Sequence, residues 1–126
     1  MPIAPGNKIT IAGFPRSARL LTPAAFKQVI GSGRRRRSPS FTAFESSSGG
    51  SAARLGLTVA KKALPLAVAR NRFKRIVRES FRQQSGLPPC DVVIMATPNA
   101  RKVTAGQLAA ELTEYWGRLR ERWPAS

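Results

Sequence analysis

Between Leu66 and Gln84 the chain carries Arg70, Arg72, Lys74, Arg75, Arg78 and Arg82, with Glu79 as the one acid among them. Guanidinium groups form paired hydrogen bonds to phosphate and stack on bases. The chemistry on offer is therefore the binding of a polyanion. On a helix, residues four apart share a face, so Arg70, Lys74, Arg78 and Arg82 line up in one stripe. Asn71, Arg75 and Arg78 form a second stripe beside it. Like charges at this spacing repel and weaken an isolated helix. A solvated face usually mixes both signs, whereas this one calls for an external anion to offset the repulsion.

The same inventory excludes most catalysis by side chains. The 126 residues include 22 Lys plus Arg against 6 Asp plus Glu and no His, a net charge of +16. Without His there is no imidazole base, no Ser-His-Asp triad and no His metal ligand. Cys90 is the only cysteine, which rules out an internal disulfide and a cysteine zinc cluster. Beside a strand it reads as a small buried hydrophobe. The acids are Glu45, Glu79, Asp91, Glu111, Glu114 and Glu121. Only Glu111 and Glu114 are close together, on a helix face expected to be solvated, so no carboxylate cluster for two-metal hydrolysis is visible. The longest apolar run, Val92 to Ala96, is far too short to cross a bilayer. Met1 to Gly13 has only Lys8 as a charge and does not read as a signal peptide. These features predict a cytoplasmic protein in a reducing compartment.

The elements that must position the basic helix can be read from periodicity. A chain of this length with 42% apolar residues suits one core. Residues 1–13 read as a flexible arm, 14–123 as a single domain and 124–126 as a tail. Thr22 and Pro23 start a helix, whose stripe is Ala25, Phe26, Val29 and Ile30 and whose end is Gly31-Ser32-Gly33. Arg34 to Arg37 is a run of four arginines, placed in the connection that follows. Ser40 to Glu45 reads as a strand in which Phe41 and Phe44 have opposite parity, so one should face the core and the other should not. Residues 46–51 read as a flexible Ser/Gly connection. Leu55, Leu57 and Val59 alternate as a half-buried strand ending at Lys61 and Lys62. The basic helix turns Ala69, Phe73, Ile76, Val77 and Ser80 to the core and stops at Gly86 and Pro88-Pro89. Asp91 to Thr97 reads as a central strand buried on both faces. Thr104 to Trp123 is a helix burying Leu108, Leu112, Tyr115, Trp116, Leu119 and Trp123. The order helix, strand, strand, helix, strand, helix predicts an α/β sandwich, a small sheet packed with three helices.

The stretch Arg70-Asn71-Arg72-Phe73-Lys74-Arg75-Ile76-Val77-Arg78-Glu79-Ser80-Phe81-Arg82 closely resembles the signature helix of the bacterial ribonuclease P protein family. The likeness extends to Leu55-Gly56-Leu57-Thr58-Val59-Ala60-Lys61-Lys62 and to Asp91-Val92-Val93-Ile94. It also takes in Phe14-Pro15-Arg16 and Arg19-Leu20-Leu21-Thr22-Pro23, with Phe26 following. The resemblance implies an α/β sandwich with a left-handed βαβ crossover, the fold shared with a domain of a ribosomal protein, where the general rule would give a right-handed one. It implies a protein subunit that binds the catalytic RNA and the 5′ leader of precursor tRNA, while the RNA performs the endonucleolytic cleavage. No small-molecule substrate and no membrane enter this picture. Arg70, Asn71, Arg72, Lys74, Arg75, Arg78 and Arg82, with Lys61, Lys62, Arg16 and Arg19, then become RNA contacts. Phe26, Ile30 and Phe44, with Lys62, would line a leader cleft between the first helix, the signature helix and the sheet. Ile30 stands where the family usually has an aromatic. No cofactor is implied for the protein alone. Magnesium is implied for the RNA-containing holoenzyme, with Asn71 its one candidate neighbour on the protein.

Two other classes use the same basic composition. A ribosomal protein or RNA chaperone would bind without regard to a precursor leader. An architectural DNA-binding protein would bind duplex DNA comparably well, although nothing here resembles a helix-turn-helix.

Overall fold

The structure, a computed structural model, describes residues 23–47 and 52–123. The expected arm, Arg16, Arg19, Thr22, residues 48–51 and the 124–126 tail lie outside them. In chain order the elements are α1 (Pro23–Ser32), β1 (Arg34–Arg37), β2 (Phe41–Ser47), β3 (Arg54–Thr58), α2 (Ala67–Arg82), β4 (Cys90–Ala96), a short 3-10 helix (Pro98–Lys102) and α3 (Ala105–Arg122). The four strands form one sheet in the order β1-β2-β4-β3. β1 and β4 pair antiparallel to β2, while β3 and β4 are parallel neighbours connected through α2. The sandwich of one small sheet and three helices is the one the periodicity predicts, and the parallel β3–β4 pair crossing over through α2 is the one the resemblance implies.

The arginine run corrects that reading. It is not a connection but an edge strand, in register with β2 from Arg34 opposite Glu45 to Arg37 opposite Thr42. Four identical charged residues carry no apolar alternation, so the pairing is decided by backbone hydrogen bonding to a neighbour and by the acid across from it. The turn between β1 and β2 is clamped from α3. Glu111 accepts hydrogen bonds from the Ser38 hydroxyl and from the Ser40 backbone N–H, the latter at 2.9 Å. Glu111 is therefore half-buried and engaged, not part of a solvated face.

The main core lies between the sheet and the α2–α3 layer. Phe41, Leu55, Val92 and Ile94 from the strands meet Phe73, Val77 and Phe81 of α2 and Leu108, Leu112, Tyr115, Trp116 and Leu119 of α3. Trp116 is fully buried, and its indole N–H donates to the Ser80 hydroxyl at 2.8 Å. Thr104 starts α3 with a capping box, its hydroxyl accepting from the Gln107 N–H while the Gln107 side chain accepts from the Thr104 N–H. β4 is buried along both faces, as its apolar run predicts. Cys90 is fully buried at its start, and burial, reinforced by the nearby Glu45 and Asp91 carboxylates, pushes its thiol up to about 12. It is an inert core residue.

On the other face, α1 packs Val29 against Phe44 and Val93, with Ala25, Phe26 and Met95 around them. The parity argument for Phe41 and Phe44 holds, since they point to opposite faces. The expectation that one of them stays out of a core does not hold. α1 covers the second face, and Phe44 is only 6% exposed.

One buried carboxylate ties the sheet to the end of α3. Glu45 on β2 accepts from the Tyr115 hydroxyl at 2.6 Å and from the Trp123 indole N–H at 2.9 Å, and it pairs with the Arg122 guanidinium. Arg36 of β1 approaches the same carboxylate at 3.5 Å. Burial raises the carboxyl pKa, but hydrogen bonds from Arg122, Tyr115 and Trp123 outweigh it, and the net position is below the usual carboxylate value.

Candidate nucleic-acid interface

The geometry of the candidate site follows from which residues stand side by side across the sheet. On the α1 face, one transverse row is Arg35, Phe44, Val93 and Gly56. The next row, nearer the C-terminal ends of β3 and β4, is Arg37, Thr42, Met95 and Thr58. α1 lies over the first row, placing Val29 on Phe44 and Val93 and the Phe26 ring on Gly56. The second row is left half-exposed at Thr42, Met95 and Thr58. It forms the floor of a shelf beside α1.

Glycine at position 56 is what allows this. A Cβ there would stand 2.8 Å from Phe26 Cζ and 3.1 Å from Cε1. Gly56→Ala should therefore push the ring and α1 off the sheet. The expected cost is about 1–3 kcal/mol, the range for overpacking, read from denaturant unfolding.

Beyond Thr58 the chain turns at residues 60–64, where the Ala63 and Leu64 N–H groups both donate to the Ala60 carbonyl at 3.0 Å. Lys61 and Lys62 are exposed on this turn, at the same end of the sheet as the shelf. α2 then begins and runs back along the opposite face. Arg70 Nη1 donates to the Leu64 and Pro65 carbonyls at 2.9 and 2.8 Å, so this guanidinium braces the turn that carries the two lysines. Asn71, Arg72, Arg75 and Arg78 are exposed, and Lys74 is half-buried. Arg82 pairs with Glu79 one turn back, and the guanidinium holds that carboxyl below its usual value. The basic stripes are thus on the solvent side of α2, opposite Phe73, Val77, Ser80 and Phe81.

The cleft implied by the resemblance is rearranged in one respect. α1 and α2 lie in different layers, so Phe26 and Phe44 belong to the α1 face, while α2 packs against α3 on the other. The signature helix reaches the shelf only through its N-terminal end and the lysine turn. Within the shelf, Phe26 is half-buried and Ile30 is 36% exposed, while Phe44 is a buried support. The Arg35 guanidinium sits 5.8 Å from the Phe44 ring centroid. Thr42, Thr58 and Met95 were absent from the sequence-level site. The period of two could have found the threonines, since Thr42 shares parity with Phe44 and Thr58 with Gly56.

Among the described residues no group of three or more His, Cys, Asp or Glu side chains could hold a metal ion. Asn71 offers one amide oxygen among cationic neighbours, a donor set that does not fit a divalent cation by itself. No described helix is long and apolar enough to cross a membrane.

Comparison with known proteins agrees with this fold. A family model described as ribonuclease P matches residues 14–120. The ribonuclease P protein component of Thioalkalivibrio sulfidiphilus is 44% identical over 108 residues, covering 85% of this chain and 90% of the relative. That of Aliivibrio fischeri is 44% identical over 107 residues, covering 84% and 92%. Among solved structures, the Staphylococcus aureus RNase P protein superimposes with a TM-score of 0.74 at 26% identity, covering 82% of this chain and 95% of that one. The Thermotoga maritima RNase P protein does so with a TM-score of 0.65 at 26% identity, covering 74% and 89%. With the signature helix, a family match over residues 14–120 and a shared fold all in agreement, the chain belongs to the bacterial ribonuclease P protein family, whose members are the protein component of an endoribonuclease of tRNA processing.

Proposed function

We propose that this chain binds the ribonuclease P RNA through the exposed face of α2 and the single-stranded 5′ leader of precursor tRNA along the shelf beside α1. Leader cleavage then takes place on the RNA, in the cytoplasm, with magnesium held by RNA phosphates. The observation that carries this reading is the pairing of a strongly basic helix with a half-open strip of sheet, at a site where the described residues include no group of His, Cys, Asp or Glu able to hold a metal ion. Asn71, Arg72, Lys74, Arg75 and Arg78 supply phosphate contacts. Arg70 does so while bracing the turn, and Lys61 and Lys62 stand where the two surfaces meet. Arg16 and Arg19 join the RNA contacts. Phe26 offers a ring edge for a base, Ile30 an apolar wall, and Phe44 supports the floor from beneath.

The test is cleavage of precursor tRNA by bacterial ribonuclease P RNA at low magnesium, with and without this protein, on long and very short leaders. Rescue that grows with leader length is the expected result. Rescue independent of leader length would remove the leader from the shelf. No rescue would favour a ribosomal or chaperone role.

A further inference from the structure

The arginine run lies outside the site just described, yet the register divides it into two functionally different pairs. Residues directly opposite each other across a sheet share a face. Arg34 and Arg36 therefore point to the α3 side with Glu45, where Arg36 is already paired. Arg35 and Arg37 point to the α1 side, in line with Phe44 and Thr42. Both are exposed, and among the described residues no carboxylate forms an ion pair with either. Arg37 closes the half-exposed row whose other end is Thr58, just before the Lys61–Lys62 turn. The shelf is thus an uncharged floor with cations at both ends. Its length is three interstrand spacings, about 14 Å from β3 to β1.

We infer that Arg35 and Arg37 form a second phosphate anchor for the single strand, carrying its path across the whole sheet from the lysine turn to the β1 edge. The inference rests on the proposed leader-binding reading and extends it. A floor of Thr42, Met95 and Thr58 cannot neutralise phosphate, so a strand crossing it is held by charge only at the two ends. Arg35 already lies over the Phe44 ring, which fixes its plane while leaving its N–H edge open to an acceptor. Arg34 carries the same charge one residue away but faces the wrong side. Charge alone and charge in place therefore make different predictions.

The experiment compares Arg35→Gln/Arg37→Gln, Arg37→Gln, Arg37→Lys and Arg34→Gln in the reconstituted RNA–protein complex. Precursor tRNA affinity is measured with long and very short leaders, and the thermal midpoint of each variant is recorded. The double variant should lose roughly tenfold in affinity for the long leader, the scale of one or two charge-assisted contacts. The magnitude of its salt slope should fall by about 1.4, two single-strand phosphates at about 0.7 each. Arg37→Gln should show part of this loss, and Arg37→Lys should restore most of it. Short-leader affinity and the Arg34→Gln variant should match the unmodified protein. Equal losses for Arg34→Gln and Arg37→Gln would overturn the anchor and leave only a general positive potential. Equal losses on short and long leaders would also overturn it. If the unmodified protein itself binds long and short leaders alike, the underlying leader reading fails instead.

Discussion

Raising the salt from about 50 to 200 mM should weaken binding of this protein to ribonuclease P RNA by about a thousandfold. The figure follows from about six phosphate contacts, each releasing close to one counterion. Asn71 aside, the candidate α2 contacts are all cations, and a net charge of +16 leaves few acids to screen them internally. Glu111 holds the β1–β2 turn while Glu45 and Asp91 are buried, so three of the six acids stand away from the exposed stripe, and Glu79 pairs with Arg82 at its C-terminal end. Arg75 is exposed on α2, so Arg75→Ala should lower RNA affinity and reduce the slope of log affinity against log salt by about one. Its denaturant midpoint should stay unchanged. Titration of labelled RNA at four or five salt concentrations gives both numbers. A flat salt dependence would show that phosphate is not the ligand of this face, and a loss of stability with full affinity would return Arg75 to a structural role.

The largest effect on stability should come from Glu45. Its carboxylate is buried, accepts hydrogen bonds from the Tyr115 hydroxyl, the Trp123 indole and Arg122, and stands 3.5 Å from Arg36 Nε as a counter-charge. Glu45→Ala leaves the Arg122 guanidinium and two further donors without their acceptor and removes the counter-charge beside Arg36, a loss of about 3–5 kcal/mol by analogy with other broken buried pairs. A domain of this size has about 5–15 kcal/mol in total, so urea unfolding should show the variant marginally folded. The pH dependence has a definite sign. Because the folded carboxyl titrates below its usual value, its contribution is complete above the normal carboxylate range. It is lost as the pH falls through the lower, folded value. Glu45→Gln should therefore be less stable than the parent at neutral pH, and the difference should shrink on acidification. A constant difference between the two across the acid limb would show that the charge on Glu45 contributes nothing. The same network places β1 and β2 against α3, so loosening it should also disturb the shelf floor at Thr42.

How much of this was legible beforehand depends on the range over which each feature is decided. α2 could be read as a two-faced helix because its cations and its apolar residues recur at helical spacing within one local segment. β4 could be read as central because its apolar run has no polar side to offer to water. α3 could be read from Thr104 to Trp123 by its apolar stripe alone, and the structure adds the capping box between Thr104 and Gln107 that fixes its start. The absence of His and the scatter of acids along the chain already directed the reading towards binding rather than side-chain catalysis. With the signature helix, these local facts were enough for fold class and family.

The tertiary structure alone decided which charges stand where. Arg34 to Arg37 have no periodicity of their own, and their strand exists only because β2 lies alongside to receive its hydrogen bonds. Glu45 reads as one acid at the end of a strand until Tyr115, Arg122 and Trp123, seventy or more residues later, close around it. Parity leaves one of Phe41 and Phe44 outside the core, yet both are buried, because α1 crosses the Phe44 row of the sheet and not the next. Periodicity reports which face a residue occupies, but what covers that face is settled by contacts between distant segments, and those set the shelf, its floor and its two charged ends.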